Sequence, residues 1–277
     1  MSMNELLRFR ATYLRAVAEA WADDRFREAL IKHPVKALQD RFEYKWPWSD
    51  VCDLRIGDAT GQYEWLCDTW VWSSHLPEAL TLYVPLDPSA AKIPPEHRAM
   101  ALADFYNQRT SLFSDDWGKY DPPKQIGAPA AAVIARGEAV DPDPGPPTGG
   151  FIPGGRDFSA FKVALVAAMA KAWDDKEFKE LLMIDAPKAL RTVRDYEMPW
   201  DLLISVKDDR QARWDPGSQH EGRNNHSHWH PSHWHFDENN VLQLNLPTKP
   251  SDVTSEPLAL AMYNATGAQY PFTCCPC

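Results

Sequence analysis

This chain repeats itself at two fixed offsets. At an offset of 152, Trp21 aligns with Trp173, Phe26 with Phe178, Ala37-Leu38 with Ala189-Leu190 and Pro47-Trp48 with Pro199-Trp200. Further on the offset becomes 162, matching Pro85 with Pro247, Pro88-Ser89 with Pro250-Ser251, Pro95 with Pro257 and Ala99-Met100 with Ala261-Met262. Coincidences of Trp and Pro in this number identify a tandem duplication, which constrains the fold more than any single motif. The change of offset places an insertion of ten residues in the second copy, between about Asp208 and Asn240. The expected organisation is a first copy over 1–120, a linker over 121–156, a second copy over 157–268 and a cysteine-rich tail over 269–277. The linker is read from Asp121-Pro122-Pro123, from Asp141-Pro142-Asp143-Pro144-Gly145-Pro146-Pro147 and from Gly149-Gly150. Prolines at that density deny hydrogen bonds to helix and ladder alike, so a semi-extended connection is expected.

Within a copy the apolar period changes along the chain. Leu6, Leu7, Phe9, Tyr13, Leu14, Val17, Ala20 and Trp21 recur at steps of three and four, the pattern of an amphipathic helix. Asp23-Asp24 suits the cap of a second short helix carrying Phe26, Ala29 and Leu30, and Pro34 suits the first turn of a third through Leu38. Two strands with alternating apolar residues are expected at 51–56 and 79–84, then a closing helix from Glu96 to about Asn107. The second copy repeats this as helices over 158–173, 177–183 and 187–193, strands over 202–206 and 241–246, and a helix over 255–264. The fold class expected is α+β, a tandem of helix-rich modules with a small sheet, and Trp21, Phe26, Trp173 and Phe178 are assigned to the core.

A net charge of −10 with no basic stripe argues against nucleic acid as a partner. No basic segment leading into an apolar run opens the sequence, and no stretch approaches 18 apolar residues, so neither a signal peptide nor a membrane span is expected and the assignment is cytoplasmic. Five cysteines, an odd count in that compartment, argue against a disulfide framework. Three of them fall in Thr273-Cys274-Cys275-Pro276-Cys277. Thiols clustered on a tail suit metal donation, pairing with a partner, or modification by another enzyme.

The run from Ala172 to Leu190, Ala-Trp-x-Asp followed by Phe-x-x-x-Leu and Pro-x-Ala-Leu, resembles the start of the nitrile hydratase alpha subunit. It is more similar still to the nitrile-hydratase-like leader of ribosomally made, post-translationally modified peptides. Leu242-x-Leu-x-Leu-Pro247-x-x-Pro250, Leu258-Ala259-Leu260-Ala261 and Gly267-Ala268 resemble the end of that leader. Tandem leaders before a short Cys-rich core resemble the thiazole/oxazole-modified microcin (TOMM) bacteriocin precursors. The resemblance implies a non-enzymatic precursor without a cofactor, and a core of Gln269 to Cys277 released by cleavage at Gly267-Ala268. Thr273, Cys274, Cys275 and Cys277 would be the modified residues. The partners implied are a cyclodehydratase or a multinuclear non-haem iron oxidase, and a leader peptidase with its exporter, leaving export open to the mature core. Hydratase activity is rejected, because the metal claw Cys-x-x-Cys-Ser-Cys is absent and Pro276 has no amide proton to lose.

The insertion has its own signature. His220, His226, His228, His230, His233 and His235 alternate with Trp229 and Trp234. His-x-His-x-His places imidazoles on one face of an extended strand, and His226, His228, His230, His233 and His235 are candidate ligands for copper, nickel or zinc. A protein that binds copper or zinc through this run and the tail thiols is therefore the alternative function. A binding surface for a modifying enzyme, or a solvated loop, are the other readings of the insertion.

Overall fold

The computed structural model describes residues 5–72, 80–109, 155–196, 203–221 and 227–266. The first copy opens with α1 (Glu5–Ala22), α2 (Asp24–Lys32) and α3 (Pro34–Phe42) and closes with α4 (Arg98–Arg109). The second opens with α5 (Gly155–Asp174), α6 (Lys176–Ile184) and α7 (Ala186–Arg194) and closes with α8 (Glu256–Thr266). Equivalent residues do equivalent work. Asp23 caps α2 by accepting from the amides of Arg25 and Phe26, and Asp175 caps α6 through the amide of Phe178. The third helix of each copy ends on a left-handed residue, Glu43 at φ 55° and Asp195 at φ 52°. Phe9 packs on Tyr44 with ring centroids 6.0 Å apart, as Phe161 packs on Tyr196 at 6.0 Å.

The strands of the first copy are β1 (Cys52–Asp58), β2 (Tyr63–Leu66), β3 (Thr69–Trp72) and β4 (Leu80–Val84). Those of the second are β5 (Ile204–Asp208), β6 (Arg213–Asp215), β7 (Ser218–Glu221), β8 (Ser227–His230), β9 (His233–His235) and β10 (Asn240–Leu246). One four-stranded sheet runs β1-β10-β4-β5. Its order exchanges strands between the copies. β1 of the first copy lies parallel to β10 of the second, and β5 of the second lies parallel to β4 of the first. The inner strands β10 and β4 are antiparallel, with Leu242 opposite Leu80. Those two leucines are counterparts at the offset of 162, so the local two-fold relation of the repeat passes through this pair.

The reciprocal contacts continue beyond the sheet. The indole Nε1 of Trp21 donates to the carbonyl of Pro247 at 3.1 Å, and that of Trp173 donates to the carbonyl of Pro85 at 2.8 Å. The matched pair Trp21 and Trp173 are thus each bonded to the matched proline, Pro247 or Pro85, of the other copy. Within each copy, the second helix holds the end of the first strand, through Arg27 to Asp58 at 2.5 Å and Lys179 to Asp208 at 2.7 Å.

Trp21, Phe26 and Phe178 are buried and Trp173 is packed against the same core, as expected. The expectation of two strands per copy is incomplete. Each copy also carries a hairpin between its sheet strands, β2–β3 in the first and β6–β9 in the second. Alternation holds for the edge strand β1, where Cys52, Leu54 and Ile56 are buried and the residues between them, Asp53 and Arg55, are exposed. It fails for β10, in which only Gln243 escapes full burial, because an inner strand is covered on both faces. The insertion lies within its expected bounds, but it is larger than ten residues. The amide of Ala59 donates to Leu246 at 3.1 Å and that of Asp209 donates to Val84 at 3.0 Å, so β1 and β5 correspond at an offset of 150 rather than 152. A two-residue deletion therefore precedes β5, and the added residues lie inside the β6–β9 hairpin. The Pro/Gly-rich stretch read as a linker lies almost wholly outside the described residues.

A sheet shared in this way should unfold as a unit. Leu82→Ala in the first copy and Leu244→Ala in the second, both essentially fully buried, should each shift one common unfolding transition, with a stability loss of about 2–5 kcal/mol. Two transitions, with each substitution moving only its own, would contradict the shared core.

Candidate functional site

Two hairpins clasp the closing helices of the opposite copies. In the first copy, β2–β3 sets Trp65 opposite Trp70. The Nε1 of Trp70 donates to the carbonyl of Ala259 on α8 at 2.8 Å, and its ring packs on Tyr263 at 5.9 Å. Tyr263 is buried, and its hydroxyl lies 3.4 Å from that of Tyr13 on α1 and donates to the carbonyl of Asn245 at 3.2 Å. Burial pushes the Tyr13 phenol above its ordinary range, with the Tyr263 hydrogen bond acting in the opposite sense. The last helix of the second copy is thus seated on the first.

The second hairpin mirrors the clasp on α4. Trp214 on β6 stands opposite Trp234 on β9. The Nε1 of Trp234 donates to the carbonyl of Ala101 at 2.7 Å, its amide donates to the side-chain oxygen of Gln108 at 2.8 Å, and the Nε1 of Trp214 donates to Asp104 at 2.9 Å. Burial raises the Asp104 carboxyl; its bonds to Trp214 and Ser232 and the nearby His233 oppose that rise. Arg109, at the end of α4, is 2% exposed, lies 4.2 Å over the Phe236 ring and donates to Asn239 at 3.3 Å. Burial lowers its pKa to about 10, against the pull of Asp209, so it remains a cation at neutral pH.

With the tryptophans facing inward, Asp215, His233 and His235 fall on the other face of the hairpin. The two imidazole rings are 4.4 Å apart, and Asp215 pairs with His233 across the ladder. Asp215 precedes the histidine run in sequence, and only the strand pairing brings it to the two histidines. His228 and His230 lie on β8, which pairs with β7 and sets His220 opposite His228 in the ladder. His226 lies outside the described residues, as do Gly267, Ala268, Thr273, Cys274, Cys275 and Cys277. α8 carries the described chain up to Thr266.

The two remaining cysteines differ sharply. Cys52 is buried in β1, and burial pushes its thiol up to about 12. Cys67 is exposed in the β2–β3 turn, where it and Asp68 both take positive φ, 49° and 60°. That is the backbone of a two-residue primed turn.

Against this geometry the family relation is specific. A family model described as "Ribosomal natural product, two-chain TOMM family" matches residues 4–113 and 156–271, one match to each copy. The chain belongs to this family. It is therefore a precursor of the TOMM type, its duplication is the family's own module taken twice, and modifying enzymes are its general partners. Precursors of ribosomal natural products are generally non-catalytic. No match was found among the curated proteins or the solved structures. Among the described residues, no helix is long and apolar enough to cross a membrane.

Thiol chemistry should follow this burial. With a thiol-directed alkylating reagent near pH 8, Cys67 should react in the folded protein, while Cys52 should react only after unfolding, read by peptide mass. Equal labelling of Cys52 and Cys67 under native conditions would contradict the placement of β1.

Proposed function

We propose that the two copies together are a leader that modifying enzymes recognise, and that they act on Thr273, Cys274, Cys275 and Cys277. What carries this reading is the family membership together with the order of the chain: two family modules, then Gly267-Ala268, then a cysteine cluster within eleven residues of the last described helix. In the cyclodehydratase route, the Cys274 thiol attacks the carbonyl carbon of Thr273, that of Cys275 the carbonyl of Cys274, and that of Cys277 the carbonyl of Pro276. ATP takes up the carbonyl oxygen as phosphate, so each ring closure removes one water from the peptide and converts one ATP to ADP and phosphate. Oxidation of the azoline to a thiazole removes two hydrogens, passed to a flavin-class acceptor. Thr273 is a weaker nucleophile that would give a methyloxazoline at the carbonyl of Phe272. A multinuclear non-haem iron oxidase acting on the same cysteines is the other enzyme class that fits, with oxygen as the oxidant.

Cleavage between leader and core at Gly267-Ala268, followed by export of the core, completes the proposed sequence, with the precursor itself cytoplasmic. Small side chains there allow an extended strand into a narrow peptidase channel. The leader raises the local concentration of the tail at a bound enzyme and makes a weak encounter effectively intramolecular. The nitrile-hydratase-like sequence then survives as scaffold without the claw.

Co-expression with the modifying enzymes encoded beside the gene tests this reading. The Gln269 to Cys277 fragment should change mass by whole losses of water and of hydrogen pairs, or by the signature of oxidation. Replacing Cys274, Cys275 and Cys277 by Ala should abolish the change while the far-UV spectrum stays intact. An unmodified tail in the presence of active enzymes would overturn the proposal.

A further inference from the structure

We infer that Asp215, His233 and His235 form a binding site for a divalent transition-metal ion, with Zn2+ the ion that the donors fit best. One ligand atom from each lies within 4.8 Å of those of the other two. A tetrahedral zinc site needs its ligands about 3.3 Å apart at bonds of about 2.0–2.1 Å, so small side-chain rotations close the site without moving the backbone. Two borderline imidazole nitrogens with one carboxylate oxygen make a mixed set that suits zinc, whereas calcium and magnesium want oxygen alone. Three protein ligands leave one position for water.

The surroundings prepare the three ligands. The Nδ1 of His233 lies 3.2 Å from the carbonyl of Pro231, which can only accept. Nδ1 therefore carries the proton in the neutral ring, and Nε2 presents its lone pair, the arrangement that second-sphere carbonyls impose on metal-bound histidines. One oxygen of Asp215 accepts from the amide of Gly217 at 2.8 Å, which fixes the carboxylate and leaves the other oxygen for the ion. Gly217 sits at φ +77°, a backbone that glycine adopts without strain. Arg213 stands opposite His235 in the ladder, but its guanidinium is drawn to the carbonyls of Arg210, Gln211 and Ala212 at 3.4, 3.0 and 3.0 Å. The strands bearing the ligands are held from behind by Trp214 and Trp234 on α4, so the site rests on a fixed platform.

The equivalent hairpin of the first copy, Tyr63 to Trp72, contains no histidine. The ligands thus belong to the elaborated hairpin of the second copy, and the ion would tie the two ends of its added loop together. Because it binds the folded state, it should stabilise that clasp.

The test uses the full chain with Cys274, Cys275 and Cys277 changed to Ser, and His220, His226, His228 and His230 changed to Ala. These changes remove the other clustered thiols and imidazoles, and they make the result independent of any tail modification. Titration with Zn2+ against a chromophoric chelator should show one ion per chain, and Zn2+ should raise the melting temperature. Asp215→Asn and His235→Ala, at exposed side chains, should each weaken binding by at least about tenfold. Both should abolish the thermal shift while leaving the metal-free melting temperature unchanged. Co2+ in place of Zn2+ should give visible bands that those variants lose. Absence of stoichiometric Zn2+, or affinity unchanged in Asp215→Asn and His235→Ala, overturns the site.

Discussion

Two tryptophan-to-proline hydrogen bonds lock the halves of this molecule together. Each inner strand of the sheet ends in a proline, Pro85 or Pro247, whose carbonyl is left at the strand end without a ladder partner. Each first helix ends in a buried or half-buried indole that needs an acceptor. The demands are met crosswise, Trp21 with Pro247 and Trp173 with Pro85. The sheet obeys the same rule, since each outer strand finds its parallel neighbour in the other copy. A copy alone would leave an inner strand without its outer partner and an indole without its carbonyl, and unpaired buried polar groups cost about 1–3 kcal/mol each. The duplication therefore behaves as a dimer fused into one chain.

This exchange gives the first copy work that its sequence does not advertise. It holds α8, the helix that leads toward Gly267, through Trp70, Tyr63 and Tyr13. In return, the second copy's hairpin holds α4 of the first. On the proposed reading, with modification past α8, a fixed point of departure would set how far the tail can reach, and so its effective concentration at an enzyme bound to the leader.

Much of this was legible in the sequence. The offsets, the aspartate caps, the proline-opened helices and the four sheet strands all follow from spacing and turn chemistry, and the leader resemblance followed from the motif at Ala172 to Leu190. The exchange was not legible, because in a duplicated chain the same residues satisfy a contact within one copy or between two. The β2–β3 hairpin is not legible because its turn is Cys67-Asp68, with positive φ where Asn-Gly is the usual signal. The β6–β9 pairing was hidden for a different reason. The added loop separates Trp214 from Trp234 in sequence, and the same separation kept Asp215 apart from the histidines it meets. The two-residue slip before β5 was masked by the stronger landmarks on either side.

The most direct test of the interlocked body is to cut its connection. A protease site placed between residues 110 and 154 should be cleavable without separating the halves. The nicked protein should elute at the volume of the intact chain and melt in one transition whose midpoint rises with protein concentration. Halves that separate on a sizing column and melt independently would contradict the strand exchange on which the whole account rests.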